Sequence, residues 1–166
     1  MSFSPREFRD AMGRFATGVT IVTGLAPDGS PVGVTVNSFS SVSLSPPLVL
    51  FSLDRGANSL EPFSGGRHFS VNVLREDQAA LSQNFARQDD NKFDGIRWRP
   101  GNNGCPLFDG VLAVVECTTK ATHDGGDHVI FVGHVDHVDL VEVGKPLLYY
   151  CGSYARLDVP LQQAGD

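Results

Sequence analysis

The sequence predicts a mainly β, antiparallel domain closed as a barrel with a few covering helices. Three observations carry that expectation. Val32, Val34 and Val36 alternate with Gly33, Thr35 and Asn37, the period of a strand with one apolar face and one small or polar face. Turn clusters such as Pro27-Asp28-Gly29-Ser30 and His123-Asp-Gly-Gly-Asp127 separate the strand-like runs. Gly is 18 of 166 residues, against a usual share of about 7%, as a turn-rich chain needs. Closing the sheet removes the edges that such strands would otherwise expose.

The chain opens on a helix. Ser4 is placed as N-cap, Pro5 at N1 and Glu7 at N3, a capping box. Phe3 and Phe8 are spaced as a hydrophobic staple. Phe8, Met12 and Phe15 form one apolar face, read as packing on the domain or on a partner subunit. The helix is expected to end near Thr17-Gly18.

From Val19 the period changes to that of strands. Val19–Ala26 and 32–36 read as a hairpin around the 27–30 turn. Leu48–Leu53 and Phe69–Leu74 read as further strands. Between them, Asn58–Phe63 reads as a short helix, and Arg75–Phe85 as another. Gln88–Gly104 is polar and reads as a long loop, a length that is often functional. Val111–Thr122 and Val129–Val141 form a long hairpin. Leu147–Tyr154 reads as the last strand, after Pro146. The reading is one domain: helix 4–17, barrel about 18–157 and a frayed tail 158–166.

Composition narrows the function. Hydrophobic residues are 41% and charged residues 19%, with a net charge of −6. That balance folds, and it argues against a nucleic-acid partner, which needs concentrated Lys and Arg. No apolar window of 18 or more residues exists, so no membrane span is expected. The N-terminus shows no signal pattern. Cys105, Cys117 and Cys151 are odd in number and widely spaced, which fits reduced thiols and a cytoplasmic location. No metal is expected, because no Cys-x-x-Cys pair exists and His134 and His137 would face opposite sides of a strand.

Familiar motifs for a serine nucleophile, a zinc protease or a phosphate-binding loop are absent. Three stretches stand out instead. The uncharged run 33–47 carries five serines, Thr35 and Asn37. It suits the polar edge of a flat heterocycle, or else a strand running into a serine-rich loop before Pro46-Pro47. Arg55, Asn58 and Ser59 at a helix start suit a phosphate, or else ordinary capping. Gly125-Gly-Asp-His128 suits close approach of a second ligand, or else a plain hairpin turn.

Taken in order, these stretches resemble the short-chain flavin reductase family, the reductase components of two-component flavin-dependent monooxygenases. The resemblance begins with Phe8-Arg-Asp-Ala-Met-Gly-Arg-Phe-Ala-Thr-Gly-Val-Thr-Ile-Val-Thr23. It runs through 33–43, Asn84-Phe85-Ala86, Lys92-Phe93, Gly126-Asp127-His128, and Tyr149 and Tyr154 around Gly152.

The resemblance implies an FMN-binding split β-barrel that works as a homodimer. It implies hydride transfer from NADH or NADPH to FMN or FAD, and a monooxygenase that receives the reduced flavin. Thr35, Val36, Asn37 and Ser38 would contact the isoalloxazine and ribityl chain, and Ser41, Ser52, Leu53 and Asp54 would line the same site. Ser59 and Lys92 would hold the phosphate, and Phe85 and Ala86 would complete the pocket. Gly126, Asp127 and His128 would meet the nicotinamide, with His128 as the catalytic-site residue that positions it. Flavin carries the chemistry, so no strong acid–base pair is required of the protein. The alternative is a non-catalytic flavin- or haem-binding barrel, or an oxidase of the pyridoxamine-phosphate type on a similar barrel.

Overall fold

The computed structural model describes residues 2–89, 91–140 and 143–158. Residues 159–166 of the expected tail and Val141 of the expected strand lie outside them. The described elements run α1 (Pro5–Met12), β1 (Thr17–Gly18), β2 (Thr20–Leu25), β3 (Pro31–Val36), β4 (Ser40–Leu44) and β5 (Pro47–Asp54). There follow α2 (Leu60–Gly65), β6 (His68–Val73), α3 (Ala79–Phe85), β7 (Arg99–Pro100) and β8 (Pro106–Leu107). The chain closes with β9 (Ala113–Gly125), β10 (His128–Leu140), β11 (Leu148–Tyr150) and β12 (Ser153–Ala155). Among the described residues, no helix is long and apolar enough to cross a membrane.

The capping box at α1 forms as the spacing predicts. The Glu7 N–H donates to Ser4 Oγ at 3.2 Å, and the Ser4 N–H donates back to the Glu7 carboxylate at 2.8 Å. Phe3 and Phe8 stack with centroids 5.9 Å apart. The helix stops at Met12 rather than near Thr17-Gly18, and none of its residues is buried. Its apolar face is left more than half exposed, with Phe8 at 52% and Met12 at 56%.

Seven strands form one antiparallel sheet in the order β3-β2-β6-β9-β10-β5-β4. The sheet curls around a core to which six of its strands contribute, with Val22, Val36, Phe51, Phe69, Cys117 and Phe131 among its members. Phe51 stacks on Phe131 at 4.9 Å and meets Phe69 edge-on at 5.2 Å, arrangements that aromatic quadrupoles favour. Sheet order is open at both ends, so the barrel is split. A second core lies on the opposite side, where Ile21, Leu74, Phe85, Phe108, Val114 and Leu147 pack together.

Four expectations change. Residues 40–44 are a strand with a bulge between Ser41 and Ser43, not a loop. Serine signals turns, but here Ser-Val-Ser-Leu pairs with β5 and a cis Ser45–Pro46 bond makes the connection. The 75–85 helix begins only at Ala79, because Arg75 bridges to Pro146 and its N–H donates to Gln78 Oε1. The last strand divides into β11 and β12 at Cys151 and Gly152, whose φ values are +48° and +79°. The 88–104 loop contains β7, and its end is pinned by buried Glu116, which accepts from Asn102 Nδ2 and the Asn103 N–H, both at 2.9 Å.

Candidate functional site

The strand period of β3 sorts its side chains. Val32, Val34 and Val36 pack on the barrel core, so Gly33, Thr35 and Asn37 face the other way. On that side the Thr35 hydroxyl donates to the Ser82 carbonyl of α3 at 2.7 Å. Gly33 is required by packing: a Cβ there would lie 2.7 Å from Phe85 Cε1. Lys92 is buried, and its Nζ donates to the carbonyls of Gly33 at 3.2 Å and Phe85 at 3.3 Å. The lysine thus ties β3 to the end of α3.

Two cavities open along this face. One, about 230 Å³, is lined by Val19, Thr35, Asn37, Ala86, Tyr149 and Tyr154. It carries no charged side chain. The other, about 370 Å³, includes Gly33, Asn58, Ser59 and Lys92, together with Asp89 and Asp94. The strand brings the two cavities side by side through Gly33 and Thr35.

Beyond Asn37 the chain crosses the open seam of the barrel. Ser38 Oγ donates to the Ser52 carbonyl at 3.0 Å and accepts from the Ser52 N–H at 2.9 Å. Two residues on, Asp54 pairs with His128 in the β5–β10 ladder. His128 follows a two-residue hairpin turn in which Gly126 has φ +79°, as the first position of a type II′ turn needs. His128 Nδ1 lies 2.7 Å from the Asp127 carboxylate. A carboxylate only accepts, so the neutral ring carries its proton on Nδ1 and offers Nε2 as an acceptor. The same bond holds Asp127 below the usual carboxylate range.

The expected residues therefore fall into distinct settings. Thr35, Asn37 and Ala86 share the smaller cavity, and Ser59 and Lys92 share the larger. Val36, Leu53 and Phe85 are buried in the cores, so they can offer a ligand only backbone. Ser41 sits exposed on β4, and Gly126, Asp127 and His128 stand beside Asp54, outside both cavity linings. Ser59 precedes α2 but makes no capping bond.

Arg55, whose spacing suits a phosphate or a helix cap, instead donates to Gly126 O at 2.8 Å and to Asp124 at 2.7 Å. Tyr149 and Tyr154 were not assigned to the site from the sequence. They meet edge-on at 5.8 Å against the smaller cavity, and Tyr154 Oη donates to Ser82 Oγ at 2.8 Å. The Tyr-x₄-Tyr spacing across Gly152 was the available signal. Among the described residues, no group of His, Cys, Asp and Glu could hold a metal ion.

The fold is an antiparallel split barrel with two cavities on one face, the smaller lined by hydroxyl, amide and aromatic groups. The family model for the flavin reductase like domain matches residues 12–158, and the chain belongs to that family. It is 41% identical over 156 residues to the flavin-dependent monooxygenase reductase subunit HsaB of Mycobacterium tuberculosis, covering 93% of this chain and 83% of that one. It is 46% identical over 154 residues to the FMN reductase (NADH) SmoA of Agrobacterium fabrum, covering 91% and 85%. Among solved structures, the NADH:FAD oxidoreductase SgcE6 of Streptomyces globisporus superposes with a TM-score of 0.87 at 34% identity, covering 99% and 96%.

Proposed function

We propose that the chain is an NAD(P)H:flavin oxidoreductase that takes hydride from NADH or NADPH for FMN or FAD and supplies reduced flavin to a flavin-dependent monooxygenase. The observation that carries this is the β3 face. Gly33, Thr35 and Asn37 line adjoining cavities in a chain 46% identical to an NADH-dependent FMN reductase.

The donor set fits a flavin. Thr35 and Ser38 have each committed their one hydroxyl proton, to Ser82 O and Ser52 O, so each can only accept from a ligand. The Asn37 amide and the backbone N–H groups of Asn37 and Ser38, which lie beyond the last β2–β3 pair, would supply donors. Asp54 would contribute main chain, Ser41 and Ser52 the rim and Ala86 the wall, with Val36, Leu53 and Phe85 packed behind it. Ser59 and Lys92 would stand nearest the phosphate.

When bound, flavin supplies the acceptor for the hydride that leaves the nicotinamide. The protein's part is to bind and orient. Gly126 lets a nucleotide approach the backbone closely, and His128, fixed by Asp127, would accept a hydrogen bond at Nε2 from the nicotinamide carboxamide.

Two further features belong to this reading. Phe8, Met12 and Phe15 on one side, and Leu44, Val138 and Leu140 on another, are all more than half exposed. Apolar surface of that kind supports a homodimer. The free thiols of Cys105, Cys117 and Cys151 support a cytoplasmic setting.

The test is to follow NADH absorbance with purified protein and either FMN or FAD. Steady NADH loss that requires added or bound flavin is the expected result. Flavin binding with no consumption of NADH or NADPH would overturn the reading in favour of a binding module.

A further inference from the structure

We propose that Arg55 is a positioning residue, the clamp that holds the nicotinamide-binding turn against the flavin edge of the barrel. This rests on the reading of Gly126, Asp127 and His128 given above.

Arg55 lies just after β5, in the turn that Asp54 closes by accepting the Gly56 N–H at 2.6 Å. From there it grips the tip of the β9–β10 hairpin at three points. Its backbone N–H donates to Asp127 O at 2.9 Å. Its Nε donates to Gly126 O at 2.8 Å, and its Nη2 donates to Asp124 Oδ1 at 2.7 Å. Asp124 in turn accepts the Gly126 N–H at 3.1 Å. Both carbonyls of the two-residue turn are therefore held by one arginine, and its guanidinium also fixes the carboxylate that shapes that turn.

An exposed ion pair of this kind adds little to stability. Its effect is geometric. The strands around 123–128 are mostly exposed, so the tip has little core packing to hold it. The ladder partner of His128 is Asp54, and Ser52 in the same strand is bonded to Ser38. Arg55 thus locks the hairpin tip to the strand that borders the flavin face. Hydride transfer tolerates little misplacement of its two partners: about 1 Å can cost on the order of 100-fold. Lysine offers a single point charge in place of the planar fork that serves Gly126 O and Asp124 together.

The experiment uses the full chain with Arg55→Met, Arg55→Lys and Asp124→Asn, measured at saturating flavin with NADH varied, then with flavin varied. Arg55→Met is expected to lower kcat/KM for NADH roughly ten- to 100-fold, with flavin affinity within about twofold of wild type. Arg55→Lys is expected to recover part of the loss. Asp124→Asn, on an exposed tip where folding is not at stake, is expected to raise the NADH KM roughly two- to fivefold.

Wild-type NADH kinetics in Arg55→Met, or an equal loss toward flavin and NADH with no recovery by lysine, overturns the clamp. If Arg55→Met does not fold, an unchanged NADH KM in Asp124→Asn overturns it. Hydrogen exchange of the amides at 124–128 gives a readout independent of turnover, expected to speed up in Arg55→Met. If the wild type oxidises no NADH, the reductase reading has failed, and the exchange data alone then decide whether the clamp exists.

Discussion

Ser38 and Ser52 hold each other across the open seam of the barrel: one hydroxyl satisfies both the N–H and the carbonyl of Ser52, at 2.9 and 3.0 Å. A serine side chain stands there in place of a missing strand neighbour, and it sets the path of the segment that leaves β3.

Ser38→Ala leaves both backbone groups of Ser52 without that partner. The expected loss is about 1–3 kcal/mol of stability, read by urea denaturation, with several-fold weaker flavin binding by fluorescence titration. An unchanged midpoint and unchanged flavin affinity would falsify the role given to this pair.

Gly33→Ala forces a methyl to within 2.7 and 2.8 Å of two Phe85 ring carbons and 3.3 Å of Phe93. Phe85 is fully buried and packs edge-on with Phe93 at 4.9 Å, so it has nowhere to retreat. Overpacking of this kind costs about 1–3 kcal/mol. A lowered melting temperature, accompanied by weaker flavin binding through the shifted Lys92 anchor, is the expected outcome.

His128→Ala is expected to raise the apparent KM for NADH, with flavin affinity unchanged. Asp127→Asn should do the same, because an amide at that position no longer fixes the ring through a charged acceptor. The pH dependence follows from Asp127, whose bond to His128 depresses its pKa. A depressed carboxylate is ionised above its ordinary value near 4 and loses its contribution only as pH falls through the lower, folded value. The NADH KM of the wild type should therefore show no carboxylate inflection between about pH 4.5 and 8. An inflection there that vanishes in Asp127→Asn would contradict this.

Thiol titration should divide the cysteines. Burial pushes the Cys105 thiol up to about 11 and Cys117 up to about 12, while Cys151 is exposed on the β11–β12 turn. The thiolate is the reactive form. At pH 8, Ellman's reagent should find one accessible thiol in the folded protein and all three after unfolding. Two or more thiols reacting rapidly in the native state would count against this packing.

Local features were the legible ones. The Ser4–Glu7 box and the turns at 27–30 and within 123–127 depend on neighbours in the chain, and the sequence shows those neighbours directly; the strand β9 runs on to Gly125 and shortens the second turn to two residues. The serine-rich 40–44 strand was hidden because its residues favour turns in isolation and become a strand only through pairing with β5. Arg55 shows the larger limit. Its spacing suggested a phosphate site or a cap, yet its partners lie about 70 positions further along, at Asp124 and Gly126. Tyr149 and Tyr154 reach the smaller cavity only because β1 pairs with β11, which sets Thr17 opposite Tyr149 and carries the chain's end back to its beginning.

The sheet order has a consequence for how the protein is made. Within the seven-stranded sheet, the hairpins β2–β3, β4–β5 and β9–β10 close locally, but β5 and β10 pair Ser52 with Ile130, a long-range contact of the kind that slows folding. On a translating ribosome, the Thr35–Asp54 region emerges well before the strand at 128–140 that supports it. A nascent chain ending before residue 128 should therefore be unable to capture flavin, and cofactor loading should wait until β10 has left the exit tunnel.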